Sequence, residues 1–293
     1  MGKIEFTYYL EEKRYNECQN FKIKFLNSHS KICYIFCSSN GIYTGINETN
    51  YQEYIRKDYY EWENVSKNKM ISKNAGMYIF VRDVFQKCYV NGINCDTNSV
   101  DKLIQFLKEK TLGYELIVVG NSGGGYLAIL LGTQLENVKR VYSFGGLFSL
   151  YSWTGSNNNV SFERTYKKWI GDLEREKWFS LYKLVQNYPV PLLHFCGIKH
   201  VGDAEQIRPL TIACPANIHI FKMNNNAHSG HIPGYNYPKL LTADRKHLSK
   251  LYKLSNKSSI SCRTLSIKNI GILKYGFYII KSMLKALKIN KVF

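Results

Sequence analysis

From Glu115 to Gly132 the chain reads ELIVVGNSGGGYLAILLG. The apolar run Leu116-Ile117-Val118-Val119 leads directly into Gly120-Asn121-Ser122-Gly123-Gly124, and an apolar helical pattern starts at once. A buried strand that turns straight into a buried helix needs small residues two before and two after the apex, where side chains would collide with backbone. The spacing therefore predicts a strand over 115–120, a helix over 123–135 and a sharp turn at Ser122. The G-x-S-x-G pattern in this context lifts the serine hydroxyl to the carboxyl edge of a sheet, above helical N–H groups that can hold an anion. A bland alternative is a tight turn whose glycines serve packing alone. A phosphate cradle is a third reading, but the segment has no Walker lysine and does not match G-x-G-x-x-G.

The surrounding pattern is alternating. Ile4 to Leu10, Phe21 to Leu26, Ile32 to Cys37, Met77 to Arg82, Val138 to Phe144, Pro191 to Ile198 and Asn217 to Met223 read as strands. Ser99 to Lys110, Trp178 to Gln186, Asp203 to Ile212 and Pro238 to Leu254 read as helices. Residues 38–75 are polar and poorly periodic, and are expected to be irregular with one short helix. At 293 residues and 45% hydrophobic content, the chain can bury a large core in one α/β domain. Strand–helix alternation over residues 1–254 predicts a mostly parallel sheet with helices on both faces. An insertion at about 147–175, with Trp153, Trp169 and a GSNNN turn, is unlike a crossover and reads as a lid or substrate wall.

A serine hydroxyl needs a base and a carboxylate that orients it. In open parallel sheets such groups lie beyond the carboxyl ends of strands. The segment PLLHFCGIKHVGDAEQI offers Asp203 just past a strand, with helix capping as its bland role and Glu205 as a substitute. The segment NIHIFKMNNNAHSGHIP offers His228 in a polar loop, with His231 as the alternative. His194 and His219 fall within strands and are expected to be packed.

The order Ser122, Asp203, His228 resembles that of the α/β-hydrolase superfamily, over roughly residues 30–250. The resemblance implies a Ser-Asp-His triad and an acyl-enzyme mechanism with no cofactor or metal. It also implies an oxyanion hole from the Gly123 N–H and one donor in the loop Cys37-Ser38-Ser39-Asn40-Gly41, at Ser38 or Ser39. A lipase-type Gly-rich oxyanion loop is absent. The segments MYIFVRDVF, SVDKLIQFLKE, GNSGGGYLAILLG and VYSFGG further resemble hydrolase-like proteins of bacterial surface-polysaccharide loci, similar to acetyl esterases and acetyltransferases acting on glycans. That implies an acylated glycan ester as substrate. Transfer to a sugar hydroxyl and a non-catalytic scaffold of a membrane-associated glycan-assembly complex stand as rival readings.

The net charge is +18, from 40 basic and 22 acidic residues. Arg245 to Phe293 holds 12 Lys/Arg and no Asp/Glu, so the excess is concentrated there, which argues against a nucleic-acid partner. Within it, residues 255–269 read as a linker. Residues 270–293 read as a basic amphipathic helix, with Lys274, Lys281, Lys285 and Lys288 beside a stripe of Leu273, Phe277, Ile280, Leu284 and Leu287. Two readings stand: an anionic membrane surface, or a helix docked on the domain with solvated lysines. Eight cysteines occur without C-x-x-C, the opening Met-Gly-Lys-Ile-Glu-Phe has no long apolar segment, and Phe6 breaks the myristoylation pattern. The expected compartment is the reducing cytoplasm, with a peripheral membrane location if the tail binds lipid.

Overall fold

The computed structural model describes residues 12–16, 19–26, 29–39, 60–152, 166–212, 215–255 and 257–289. The strand expected over Ile4–Leu10, most of the 38–75 excursion and the Trp153–GSNNN turn lie outside them.

Among the described residues, seven strands form one sheet: β1 (Phe21–Phe25), β2 (Ile32–Cys37), β3 (Met77–Val81), β4 (Glu115–Asn121), β5 (Val138–Phe144), β6 (Leu192–Gly197) and β7 (Ile218–Met223). Their spatial order is β1-β3-β2-β4-β5-β6-β7. β1 runs antiparallel to β3, and every other pair is parallel. β2, β3, β4 and β6 are near-continuous apolar runs because both faces are covered. Alternation divides them between two cores. Cys33, Ile35, Leu116 and Val118 face one side, and Tyr34, Phe36, Ile117 and Val119 the other. The second side is aromatic. Register partners Phe36 and Phe80 stack at 5.2 Å, Phe144 and Phe195 at 5.0 Å, and Phe195 and Phe221 at 4.4 Å. Such pairs add roughly 0.5–1.5 kcal/mol each beyond area burial. Cys33, Cys37 and Cys196 are fully buried in these strands, and burial pushes their thiols well above the ordinary range.

Helix α1 (Val100–Lys110) is capped by the Ser99 side chain, which accepts from the Lys102 N–H, and buries Val100, Leu103, Ile104 and Leu107. Helix α2 (Gly123–Gln134) is buried on nearly every side, as a helix apolar all round must be. Helix α3 (Val201–Ile212) follows β6. The 147–152 end of the insertion is fixed to α3 through Gln206. Its amide accepts from the Phe148 and Ser149 N–H groups at 2.7 and 2.9 Å and donates to the Ser149 carbonyl at 2.8 Å.

Three stretches differ from expectation. The helix read over 178–186 is only one turn, Tyr182–Val185. The Phe179 carbonyl and Leu181 N–H are instead paired with Leu150 and Phe148. The helix read over 238–254 is broken into Tyr237–Leu241 and α4 (Arg245–Ser255). Asp244 accepts from the His247 N–H at 2.7 Å and so starts a new helix. The linker read over 255–269 contains α5 (Cys262–Ile270), capped by Ser261, with Leu265, Ser266 and Asn269 buried. Ile260 forms a bridge to Met223 at the end of β7, so this polar segment is built onto the sheet. Helix α6 (Ile272–Ile289) follows. Among the described residues, no helix is long and apolar enough to cross a membrane.

Candidate active site

Ser122 joins β4 to α2 with φ 52° and ψ −119°. A side chain in that region costs on the order of 1–3 kcal/mol and persists only where its surroundings enforce it. Here the glycines on either side do so. A Cβ on Gly120 would lie 2.0 Å from the Gly124 carbonyl oxygen, and one on Gly124 would lie 2.2 Å from that of Cys37. The helix start is thereby pressed against the ends of β4 and β2. Ser122 is half-buried and its hydroxyl caps no helical N–H. Its own N–H is held by the Phe144 carbonyl at 2.7 Å.

The residue just past β5, Gly145, is the seat of the imidazole of His228. Gly145 has φ +60°, and a Cβ there would come within 2.8 Å of His228 Cε1. His228 sits in a short 3-10 turn after β7 in which Ser229 and Gly230 have positive φ. Its Nδ1 is 2.6 Å from Asp203 Oδ1. Asp203, in the first turn of α3, is 4% exposed. Its other oxygen accepts from the Gly197 and Ser229 N–H groups, both at 2.9 Å. Desolvation is the strongest influence on Asp203 and pushes its pKa up. The hydrogen bond and charge of His228, with the Gly197 N–H and His200, outweigh it, and the net value falls below the ordinary carboxylate range. An ionised, buried carboxylate that accepts at Nδ1–H fixes the imidazole tautomer and leaves the Nε2 lone pair for proton abstraction.

His200 is a member of this group that sequence reading passed over. Its Nδ1 accepts from the Asp203 N–H at 3.1 Å, capping α3, and lies 3.1 Å from Asp203 Oδ1. The i, i+3 spacing to Asp203 was the available signal. Among the described residues, His200, Asp203 and His228 form the one group with metal-ligand spacing, their ligating atoms within 4.8 Å. A divalent ion there would compete with the Asp203–His228 hydrogen bond. His231, the alternative base, is exposed. His194 is buried in β6 with Nδ1 3.2 Å from the Ser143 hydroxyl, and burial lowers it to about 4. His219 stacks on Tyr252 at 3.6 Å.

The oxyanion side differs from the resemblance. Gly123 opens α2, as expected. The Ser38 N–H, however, is paired with the Val81 carbonyl at 3.0 Å, and the Ser39 N–H with Glu61 Oε2 at 2.7 Å. Neither is presented to Ser122 as folded. Asn40 and Gly41 lie outside the described residues. Glu61 also takes a hydrogen bond from Asn121 Nδ2 at 2.9 Å, so it ties the loop after β2 to the residue before Ser122. Desolvation raises its pKa against these bonds. Among the described residues, Ser38 Oγ and Asn121 Oδ1 are buried without a hydrogen-bond partner.

Comparison with solved structures matches this architecture. A 2,6-dihydroxy-pseudo-oxynicotine hydrolase superposes with a TM-score of 0.54 at 10% identity, covering 82% of this chain. The fold is that of the α/β hydrolases. The chain spans 65% of that hydrolase's length. The esterase domain of a Rhodothermus marinus protein (13% identity, 76% of this chain and 88% of that one, TM-score 0.44) also matches. So does a lipase-esterase related protein of Clostridium acetobutylicum (14%, 80% and 98%, 0.43). No protein-family model and no curated protein matches the chain.

Proposed function

We propose that the protein is a serine hydrolase that cleaves an ester through an acyl-enzyme. The observation that carries the reading is the 2.6 Å bond between buried Asp203 and His228, with that imidazole resting on Gly145, one residue past the carbonyl that holds Ser122. In the proposed cycle, Ser122 Oγ attacks the ester carbonyl while His228 Nε2 takes its proton. Asp203 steadies the imidazolium, and the Gly123 N–H at the start of α2 donates to the oxyanion. The tetrahedral intermediate collapses as His228 returns the proton to the leaving alcohol. Water, deprotonated by the same imidazole, then releases the acid and frees Ser122. No described hydrogen bond joins Ser122 to His228, so the proposed relay requires the hydroxyl to come within reach of Nε2 once substrate binds, as is common where unliganded catalytic contacts are loose.

The likeness to surface-polysaccharide proteins makes a short acyl group on a sugar the substrate class to try first. A sugar hydroxyl replacing water in the second step would make the same acyl-enzyme an O-acyltransferase. A fluorophosphonate probe and short-chain acyl esters test the reading, the esters with and without a sugar acceptor. Expected is stoichiometric labelling that is lost in Ser122→Ala, together with a fall of at least about 10³ in ester turnover. Labelling unchanged by that substitution, or none in the wild-type protein over a range of pH, overturns it and favours the scaffold.

A further inference from the structure

Helix α6 presents its apolar face away from the body of the protein. It meets the body through the opposite edge, where Tyr278 stacks on Tyr235 at 4.6 Å and 9° and Tyr275 is half-buried. Leu273 is 88% exposed, Phe277 62%, Ile280 59%, Met283 62% and Leu284 55%. A helix docked by its hydrophobic stripe would show the reverse pattern. At about 100° per residue, Leu273, Phe277, Ile280 and Leu284 fall within one arc of roughly 60°. Lys274 and Lys281 lie in the sector between that arc and the tyrosine edge.

The charge around this face selects its occupant. No acidic residue occurs between Arg245 and Phe293, so the lysines beside the stripe have no compensating charge within this part of the chain. A second copy meeting this face about a two-fold axis would set the same lysine rows against each other, because such contacts are isologous. An anionic lipid surface instead offers hydrocarbon for the stripe and headgroup charge for its basic border. The helix, 18 residues long and hence about 27 Å, is not apolar enough to span a bilayer. It suits lying along one.

We infer that α6 is an interfacial docking helix that seats the protein on an anionic bilayer through Leu273, Phe277, Ile280 and Leu284, with Lys274 and Lys281 on the headgroups. The experiment is co-sedimentation of the full chain with vesicles of phosphatidylcholine alone or mixed with phosphatidylglycerol, alongside light-scattering mass measurement. Expected is binding to the mixed vesicles on the order of tenfold or more tighter than to phosphatidylcholine alone, weakened by salt. L273S/I280S should abolish it, and K274E/K281E should remove the preference for anionic lipid. These side chains are exposed, so an unchanged melting temperature separates lost binding from misfolding. Three outcomes overturn the inference. One is no binding to mixed vesicles, another is binding that L273S/I280S leaves intact, and the third is a dimer that the same variant dissociates. None of these readouts depends on catalysis, so they stand apart from the test of Ser122.

Discussion

The two flanks of Ser122 are built in opposite ways. On the acid–base flank, Asp203 spends its oxygens on His228, Gly197 and Ser229, and no described hydrogen bond occupies the far side of the imidazole. Every partner there converges on one atom that can accept a proton. On the oxyanion flank the bonds close inward. The Cys37 carbonyl accepts from Trp62 Nε1, the Ser38 N–H donates to the Val81 carbonyl at the end of β3, the Ser38 carbonyl accepts from the Tyr89 hydroxyl, and the Ser39 N–H is held by Glu61. One flank exposes its functional group and the other turns its backbone donors inward, leaving Ser38 Oγ and Asn121 Oδ1 buried without partners. In the proposed hydrolase the first is already set for chemistry, whereas the second supplies a single ready donor at Gly123 and keeps a buried carboxyl, Glu61, bonded to the residue before Ser122.

The sharpest way to break that comparison is on the acid–base side. Asp203→Asn keeps shape but lets the buried side chain present an amide to Nδ1, which reverses the favoured tautomer. An expected fall in kcat of about 10²–10⁴ with little change in KM follows from the behaviour of such triads. A change below about threefold would mean that Asp203 serves only to hold the Gly197 and Ser229 backbones. Gly145→Ala comes next. Its methyl would press on His228 Cε1 and on the Ser229 backbone at a residue already at φ +60°, displacing the imidazole together with the Ser229 N–H that holds Asp203. The expected loss is roughly 10–100-fold in kcat, since misplacement of about 1 Å costs that order. Wild-type turnover in this variant would mean that the imidazole does not work from its seat just past β5.

What the sequence discloses follows the range of the interactions involved. The turn at Ser122 is legible because its constraint is local: the glycines that permit it lie within a few residues of the apex, and apolar runs on both sides mark the strand and helix. The parallel sheet is legible from the buried strands between helical patterns. Asp203 and His228 are readable as residues just beyond strand ends, although nothing in their spacing sets the 2.6 Å contact across 25 residues. Glu61 is invisible at that level. Its partners, Ser39 and Asn121, are 22 and 60 residues away, and no periodicity connects them. The oxyanion assignment to Ser38 or Ser39 therefore lacked the one fact that bears on it. Helix α6 is a third kind of case. Periodicity defines its apolar and basic faces, but which edge docks depends on the Tyr235–Tyr278 stack. Asp244 and Ser261 act as caps that hydrophobic pattern alone reads past.

On the oxyanion side the sharpening variant is Glu61→Gln. Glutamine retains an acceptor for the Ser39 N–H, and its amide can donate to Asn121 Oδ1, now unpartnered, once the Asn121 amide turns over. The bonds survive while the titratable carboxyl goes. Burial pushes the Glu61 pKa up and so favours its neutral form, and kcat is expected to change by less than about threefold, equivalent to about 0.7 kcal/mol. A rise of roughly tenfold would mean that Glu61 carries a charge opposing the oxyanion. Glu61→Ala should lower the melting temperature, because it strands the Ser39 N–H and the Asn121 amide. A fall in kcat for Glu61→Gln with stability unchanged would assign the charge itself a favourable role.

The smallest expected effect concerns stability behind the acid–base flank. His194 on β6 meets Ser143, whose hydroxyl reaches the Gly125 carbonyl of α2 at 3.3 Å, so it braces the elbow helix from below. Burial holds its pKa at about 4, below the ordinary value of roughly 6.5. Between those values the unfolded chain binds a proton that the native state refuses. Stability is therefore intact above about pH 6.5 and declines as pH falls toward 4, by on the order of 3 kcal/mol. Asp203 contributes in a separate window. Its lowered pKa gives stability that is present above the ordinary carboxylate value of about 3.9 and lost only as pH falls further. His219 shares the window of His194 and is also lowered to about 4 by burial, but it is partly exposed, so solvent blunts its contribution. Thermal melts from pH 7 to 4.5 should accordingly lose several degrees in the wild-type protein. His194→Gln, which keeps a partner for Ser143 without a titrating ring, should flatten that slope more than His219→Gln does. Equal slopes in all three proteins would place the acid sensitivity elsewhere and leave the brace on α2 purely a matter of packing.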